Sequence, residues 1–533
     1  MNLRDHQWLS GTRRFLALAV IYILLALLFT YPLLLNFDDH TPSGSASGDQ
    51  CQTIWFFWWM QKALFDSHTN PYYTNAIYYP YGTYLGVHLC PLSNLLAIVV
   101  AGLFGVSINS PLVFNALLVL SFVLIGAGSY LLIRRVTGNP AAAFLASLFV
   151  AYSPYRLWHL DHLNLLSFGW AALAVVFAVR FLDKPRIGSL AAACLFAAAA
   201  FYAGLTNAML AAVFMAVYVL VKLGEIRRHQ ERARLIAGVA IGIVATALLI
   251  LPGLLNLQGG GTVWQIGWQD TERFSADLLN VFVPFPVGGG TGPGEVYLGW
   301  LLLLIAGGTV IFAWSPKLRD WLVMACVFLV LALGPTLQIG GHRSFVGLMP
   351  YRWLFDIVPY LNLSRSPVRF IVLAQFCLAV IAGHGIAVWL QALSRRLGIV
   401  WMRVGTGVVG AGITVLLLFE YTGGRIPLTE MTVPPVYQQV ADDPAINVIC
   451  NMPIADQLQI GNWYMYWQTF SGGKVVNGYL TRPSPGARRL LQQMEEWQDL
   501  GRDELQILHD NGVDAVVYHH PFEGARLLRL EGK

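Results

Sequence analysis

Three acids, three histidines and three arginines are placed where this chain could do chemistry: Asp49, Asp161, Asp277, His88, His159, His162, Arg156, Arg365 and Arg369. Asp49 sits in Gly48-Asp49-Gln50, just past the first hydrophobic run and ahead of Trp55-Phe56-Phe57-Trp58-Trp59. A carboxylate at a membrane boundary is costly unless it has a partner or a task. The task can be taking a proton from an attacking hydroxyl; the same residue can also cap the aromatic helix that follows. The run Tyr155-Arg156-Leu157-Trp158-His159-Leu160-Asp161-His162 gathers a cation, two imidazoles and a second acid in one turn. The histidines suit ligands or acceptor contacts, or plain hydrogen bonding in an aromatic loop. Asp277, in Ser275-Ala276-Asp277-Leu278, is a third acid that could equally start a helix. Arg365 and Arg369 stand four apart at the mouth of an apolar span, so a helix beginning there would share them on one face. Such a pair fits a phosphate or lipid headgroups.

Long apolar segments must carry these groups. Hydrophobic residues make up 56% and charged residues 12% of the chain, the composition of a polytopic membrane protein. Residues 15–37 read as a retained first helix and not a signal peptide, because no small-residue cleavage site follows a short core. Further spans are expected at 113–133, 141–152, 165–181, 187–203, 207–223, 236–254, 297–314, 321–337, 370–390 and 404–421. That makes about eleven, with 91–105 as an interfacial or re-entrant helix. Arg4, Arg13, Arg14, Arg134, Arg135, the basic run 222–234, Lys317, Arg319, Arg395 and Arg396 mark the cytoplasmic side. The N-terminus is then inside, the C-terminus outside, and the nine candidate residues share the outer face.

Hydrophobicity falls from about residue 422. The division expected is 1–421 in the membrane and 422–533 as a small extracytoplasmic α/β unit. Its expected elements are helices at 435–441 and 488–511 and strands at 445–452, 474–479 and 513–518. The six cysteines show no metal-ligand spacing. Cys51 and Cys90 share one outer loop and are either bridged or free. The net charge of +5 belongs mostly to the cytoplasmic turns and argues for topology, not for nucleic-acid binding.

The order of motifs resembles the GT-C superfamily of multi-span glycosyltransferases. The nearest likeness is a bacterial subgroup related to protein mannosyltransferases and the lipid A aminoarabinose transferase. The matching residues are Gly48-Asp49 with Trp55 and Trp58-Trp59, Tyr79-Pro80-Tyr81-Gly82, Ser153-Pro154-Tyr155 with His159 and His162, and Ser275-Ala276-Asp277-Leu278. Tyr297-Leu298-Gly299, Leu333-Gly334-Pro335, Arg365-Ser366-Pro367-Val368-Arg369-Phe370, Tyr464-Met465-Tyr466-Trp467-Gln468-Thr469 and Asn477-Gly478-Tyr479 continue the pattern. The resemblance implies an all-α GT-C-like membrane domain that moves a sugar, with inversion, from a polyprenyl-phosphate donor. The acceptor would be a lipid, glycan or protein of the cell envelope, outside the plasma or inner membrane. It implies Asp49 as base, Asp161 and Asp277 as further catalytic acids, and Arg365, Arg369, Arg156, His88, His159 and His162 as substrate contacts. Where the superfamily often has a second acid beside the first-loop aspartate, this chain has Gln50-Cys51. Use of a divalent metal ion is therefore left open.

Two rival classes exist. A lipid or glycan flippase would place ionisable groups at mid-membrane, often in repeated halves; His384 is one such residue, and no internal repeat is evident. A non-catalytic scaffold would work through the C-terminal region and not need Asp49.

Overall fold

The computed structural model describes residues 3–43, 48–258, 266–287, 293–358, 361, 364–396, 399–422, 426–454, 460–481, 483–495, 497, 500–520 and 524–530. Among them, six helices are long and apolar enough to cross a membrane: Pro111–Thr137, Leu163–Asp183, Arg232–Leu257, Gly294–Phe312, Pro367–Arg395 and Val404–Thr422. Phe15–Phe29, Pro91–Phe104, Ile187–Ala203 and Leu205–Val221 are apolar but shorter. The expected count of about eleven thus leans on short helices. The expected span at 141–152 is the 12-residue helix Pro140–Ala151, about 18 Å long at 1.5 Å per residue and well short of a ~30 Å hydrocarbon core.

Local chemistry sets the helix ends. Proline opens Pro91–Phe104, Pro111–Thr137, Pro140–Ala151 and Pro316–Ala332, where its missing N–H would have no partner anyway. The Ser110 side chain accepts from Leu112 N, and Asn139 Oδ1 accepts from Ala141 N and Ala142 N. Small residues let the helices touch. A Cβ added to Gly169 would lie 2.7 Å from Ile125 N, and one on Gly128 2.8 Å from Ala172 Cβ. Between them, Phe29, Tyr152 and Phe122 stack at 4.4 and 5.4 Å.

The bundle has two chemically different ends. Arg135 pairs with Asp183, and Lys222 pairs with Asp320 at 2.6 Å, tying the basic turns together at one end. At the opposite end of Leu163–Asp183 stands His162, and there Asn207 Nδ2 donates to Asn164 O at 2.7 Å.

The C-terminal residues build a four-stranded sheet. Val448–Met452 is central, parallel to Lys474–Val475 and to Ala515–His520, with Gly524–Arg529 antiparallel at the edge. Alternation along the central strand serves two cores. Val448, Cys450 and Met452 pack with Met494, Leu508 and Val516. Ile449 faces Tyr437, Met465, Trp55 and Met60. The sheet therefore packs through its neighbours onto the Asp49–Gln61 helix, and His40–Pro42 pairs with Leu428–Glu430. Packing crosses the expected division at 421/422. All six thiols are free, Cys51 and Cys90 included.

Candidate active site

Asp49 is the first residue of the Asp49–Gln61 helix, preceded by Gly48 at φ 72°. A left-handed residue there turns the chain sharply into the helix, and glycine adopts it without a Cβ clash. The buried Trp55, Phe56, Phe57 and Trp59 hold the helix in place, so the position of Asp49 is fixed from below. A carboxylate in the first turn is favoured by the helix dipole.

His162 reaches Asp49 from the reversal between the short helices Pro154–Trp158 and Leu163–Leu166. Its Nε2–H donates to Asp49 Oδ2 at 2.6 Å and its Nδ1–H to Asp161 Oδ1 at 2.7 Å. Both partners are acceptors, so the imidazolium form satisfies both bonds. Burial alone would lower the His162 pKa. The hydrogen bonds to Asp161 and Asp49 outweigh it and raise the group to about 10. Asp161 is fully buried behind the ring, whereas the Asp49 side chain is 24% exposed. Asn462 Nδ2 donates to Asp49 Oδ1 at 3.5 Å.

His159 stacks on Tyr155 at 4.3 Å and donates Nδ1–H to Tyr155 O at 2.8 Å. Burial, and then the His162 cation, push its pKa down, leaving it neutral. Its Nε2 stands 3.9 Å from Glu295 Oε2. Glu295 thus joins the cluster's edge although its sequence context, a loop end before Tyr297-Leu298-Gly299, does not single it out.

One cavity of about 1910 Å³ links Asp49 and His162 to the arginines. Its polar head is lined by Asp49, Gln52, His88, His162, Gln269, Asp270, Arg273, Arg365 and Arg369. Below the head it becomes a trough between four helices, walled by Ala178 and Phe181, Cys194 and Phe201, Met209 and Val219, and Ile243 and Leu254. Those residues run along the helices from the His162 end toward the basic end.

The remaining expected site residues divide. Arg369 Nη1 donates to Thr206 Oγ1 at 3.1 Å, at the start of Leu205–Val221. The Arg365 guanidinium lies 4.7 Å above the Phe274 ring. The two arginines do not share a helix face, contrary to expectation. Helical structure starts at Pro367, and the backbone before a proline is steered to extended conformations, so Arg365 stays outside the helix. The cavity brings them together instead. His88 lines the head, with Nε2 3.4 Å from Thr481 Oγ1. Arg156 is buried and lines no part of this cavity. Its guanidinium donates to Ala151 O, Leu166 O and Ser121 Oγ and lies over the Phe122 ring. Asp277 is fully buried and also absent from the lining. Its carboxylate accepts from Leu279 N and Gly340 N at 2.9 Å and from Gly341 N at 2.8 Å.

A family model described as a domain of unknown function, DUF6311, matches residues 17–408. The chain belongs to that family. No curated protein matches it. Among solved structures it is similar to the Archaeoglobus fulgidus oligosaccharyltransferase in its apo form. The TM-score is 0.55 at 13% identity, over 94% of this chain and 69% of that one. The same archaeal enzyme tethered to an acceptor peptide gives 0.57 at 12% identity, over 94% and 68%. The mycobacterial arabinofuranosyltransferase AftD gives 0.51 at 14% identity, over 95% of this chain and 36% of that one. At these identities the likeness is one of fold alone, and it singles out no bacterial subgroup.

Proposed function

We propose that this protein is a membrane glycosyltransferase that moves a sugar from a polyprenyl-phosphate-linked donor to a hydroxyl acceptor. One observation carries the reading: a single cavity joins a half-buried carboxylate, two arginines and an apolar trough that follows the helices. The trough takes the lipid tail. Arg365 and Arg369 hold the phosphate, with the start of Leu205–Val221 adding oriented amides. Asp49 takes the acceptor proton as the hydroxyl oxygen attacks the anomeric carbon from the side opposite the phosphate. The bond from that carbon to the phosphate oxygen breaks, the lipid phosphate leaves with the electron pair, and the sugar is inverted. His162, clamped by Asp161, keeps Asp49 in one orientation.

The fold relatives support transfer chemistry in kind, since they are an oligosaccharyltransferase and an arabinofuranosyltransferase. Lys and Arg placement supports the rest of the assignment: a plasma or inner membrane protein with about eleven crossings, N-terminus cytoplasmic, site and C-terminal α/β unit extracytoplasmic. The acceptor is a lipid, glycan or protein of the envelope. Among the described residues no group of three or more His, Cys, Asp or Glu side chains is arranged to hold a metal ion. Asp49 Oδ2 and His162 Nε2 are bonded to each other with His162 protonated on both nitrogens, so a divalent cation there would need His162 to give up its Nε2 proton; the ion would then supply charge stabilisation to the departing phosphate.

The deciding experiment is Asp49→Asn in purified protein, following release of polyprenyl phosphate from a panel of polyprenyl-phosphate sugars. A positioned base contributes roughly 100- to 10,000-fold, so turnover should fall by that order with the fold intact. Unchanged turnover removes Asp49 from the chemistry.

A further inference from the structure

The head of the cavity holds more positive charge than a single phosphate needs. Arg273 lines it together with Arg365 and Arg369. It belongs to the 3-10 turn Trp268–Phe274, and its guanidinium lies 5.9 Å from the Phe274 ring centre. Arg365 lies 4.7 Å from the centre of the same ring, so one aromatic residue positions two cations. Elsewhere in these loops arginines are matched: Arg343 pairs with Glu272 at 3.2 Å, and Arg352 with Asp356. Among the described residues, Arg273, Arg365 and Arg369 form no ion pair. Asp270, the acid nearest in sequence to Arg273 on the cavity wall, is turned back to accept from Gly267 N at 2.8 Å.

Glu295 is a charge neighbour of Arg369, whereas Arg273 and Arg365 have no acidic partner within ion-pair distance among the described residues. Guanidiniums gathered around one cavity repel each other unless an anion lies between them. A sugar joined to a lipid through one phosphate is a phosphodiester with one negative charge. Joined through two phosphates it carries two, spread over a longer head. Two arginines suffice for the first; the second has a phosphoryl group to spare for a third. Guanidinium is also the cation best shaped for paired phosphate oxygens.

We propose that Arg273 is a third phosphate-binding residue and that the donor carries its sugar on a lipid diphosphate. This rests on the glycosyl-transfer reading of the same cavity. In the transfer, the acceptor oxygen bonds to the anomeric carbon and the bond to the diphosphate oxygen breaks. The lipid diphosphate leaves with the electron pair, and Asp49 takes the proton.

Binding tests this without any sugar. The full chain in lipid nanodiscs is titrated with polyprenyl monophosphate and polyprenyl diphosphate of equal chain length. Wild type should prefer the diphosphate by roughly tenfold or more, the scale of one added charge-assisted contact. Arg273→Ala should erase most of that preference, and Arg273→Lys should retain part of it. Equal affinities in wild type would overturn the diphosphate assignment, as would a preference unchanged in Arg273→Ala, and both would leave the donor cavity standing. Binding of neither lipid by wild type would overturn the donor cavity itself. The wild-type comparison holds whether or not a variant folds.

Discussion

Asp49 opens a helix and Asp277 stands two residues before the 3-10 turn Leu279–Val281, yet the fold spends these two acids differently. Asp277 is sealed. Three backbone amides, Leu279, Gly340 and Gly341, point at its two oxygens, and the carboxylate clips one loop onto the hairpin of Leu337–Ile339 and His342–Ser344. Asp49 is held by side chains and lines the cavity. A cationic imidazole holds one oxygen and a long bond from Asn462 approaches the other. A carboxylate whose two oxygens are taken by fixed backbone amides has no face aimed at a substrate. What separates this sealed acid from the proposed base is its surroundings, which residue type and local sequence do not reveal.

The widest separation is expected between the two asparagine variants. Asp49→Asn should lose turnover by two to four orders of magnitude, as argued above, and stay folded, with only a modest drop in thermal midpoint because His162 keeps Asp161 as its partner. Asp277→Asn should do the reverse. It weakens charge-assisted bonds at a buried clip, for a loss of about 2 kcal/mol, while the folded fraction turns over normally. Side-by-side thermal unfolding and turnover measurements check both. Equal turnover defects in the two variants would dissolve the contrast.

His162→Ala comes next. It removes the cation between Asp49 and the fully buried Asp161. Breaking a buried ion pair from one side costs about 3–5 kcal/mol, so this variant should unfold much earlier than His162→Gln, which still offers one donor. The same pairing makes stability depend on pH. The His162 pKa in the folded protein is raised to about 10, against about 6.5 in an unfolded chain. Its contribution is therefore complete below about pH 6.5 and is lost as pH rises through about 10. The thermal midpoint of wild type should decline between those values, and Asp161→Asn should flatten the decline. A midpoint with no alkaline slope would mean that His162 is not held as a cation.

Much of the bundle is legible in sequence because helices that cross lipid must be apolar without interruption. The expected span at 187–203 is the observed helix Ile187–Ala203, and 113–133 lies within Pro111–Thr137. Errors fall where a breaker was passed over. The expected helix at 488–511 is two helices, Pro485–Glu495 and Arg502–Asp510, with Gly501 at the start of the second. The helix Ile460–Ser471, which carries Asn462 to Asp49, is missing from the expected elements altogether. The candidate site is legible only as an inventory. Nothing local in Gly48-Asp49-Gln50 announces a bond to His162, more than a hundred residues away. Nothing in Arg365 announces Phe274 as its platform, and no spacing rule finds Glu295 or Arg273. These are tertiary meetings, fixed by which helix ends share one face of the bundle.

The smallest effect expected is also the most local. Gly48 is left-handed, at φ 72° and ψ 14°, immediately before Asp49. A Cβ added there would find its nearest neighbour, Asn462 Cβ, at 3.5 Å, an ordinary contact. Space is therefore not the constraint; backbone conformation is. An L-residue with a Cβ pays about 1–2 kcal/mol to sit in that region, and asparagine tolerates it best. Gly48→Ala should lower stability by about 1 kcal/mol, and Gly48→Asn by less. If the glycine matters only for stability, the folded fraction of each variant should turn over at the wild-type rate. If the sharp turn into the helix also aims the carboxylate, Gly48→Ala should slow turnover of the folded protein while Asp49 is still present. It should also shift the alkaline stability slope, because the bond to His162 is no longer short. The second outcome is expected, since the carboxylate is one residue from the turn and its partner sits on a different segment that cannot follow it. A rate in Gly48→Ala indistinguishable from wild type would show that burial of the Trp55–Trp59 face alone is enough to hold Asp49 in register.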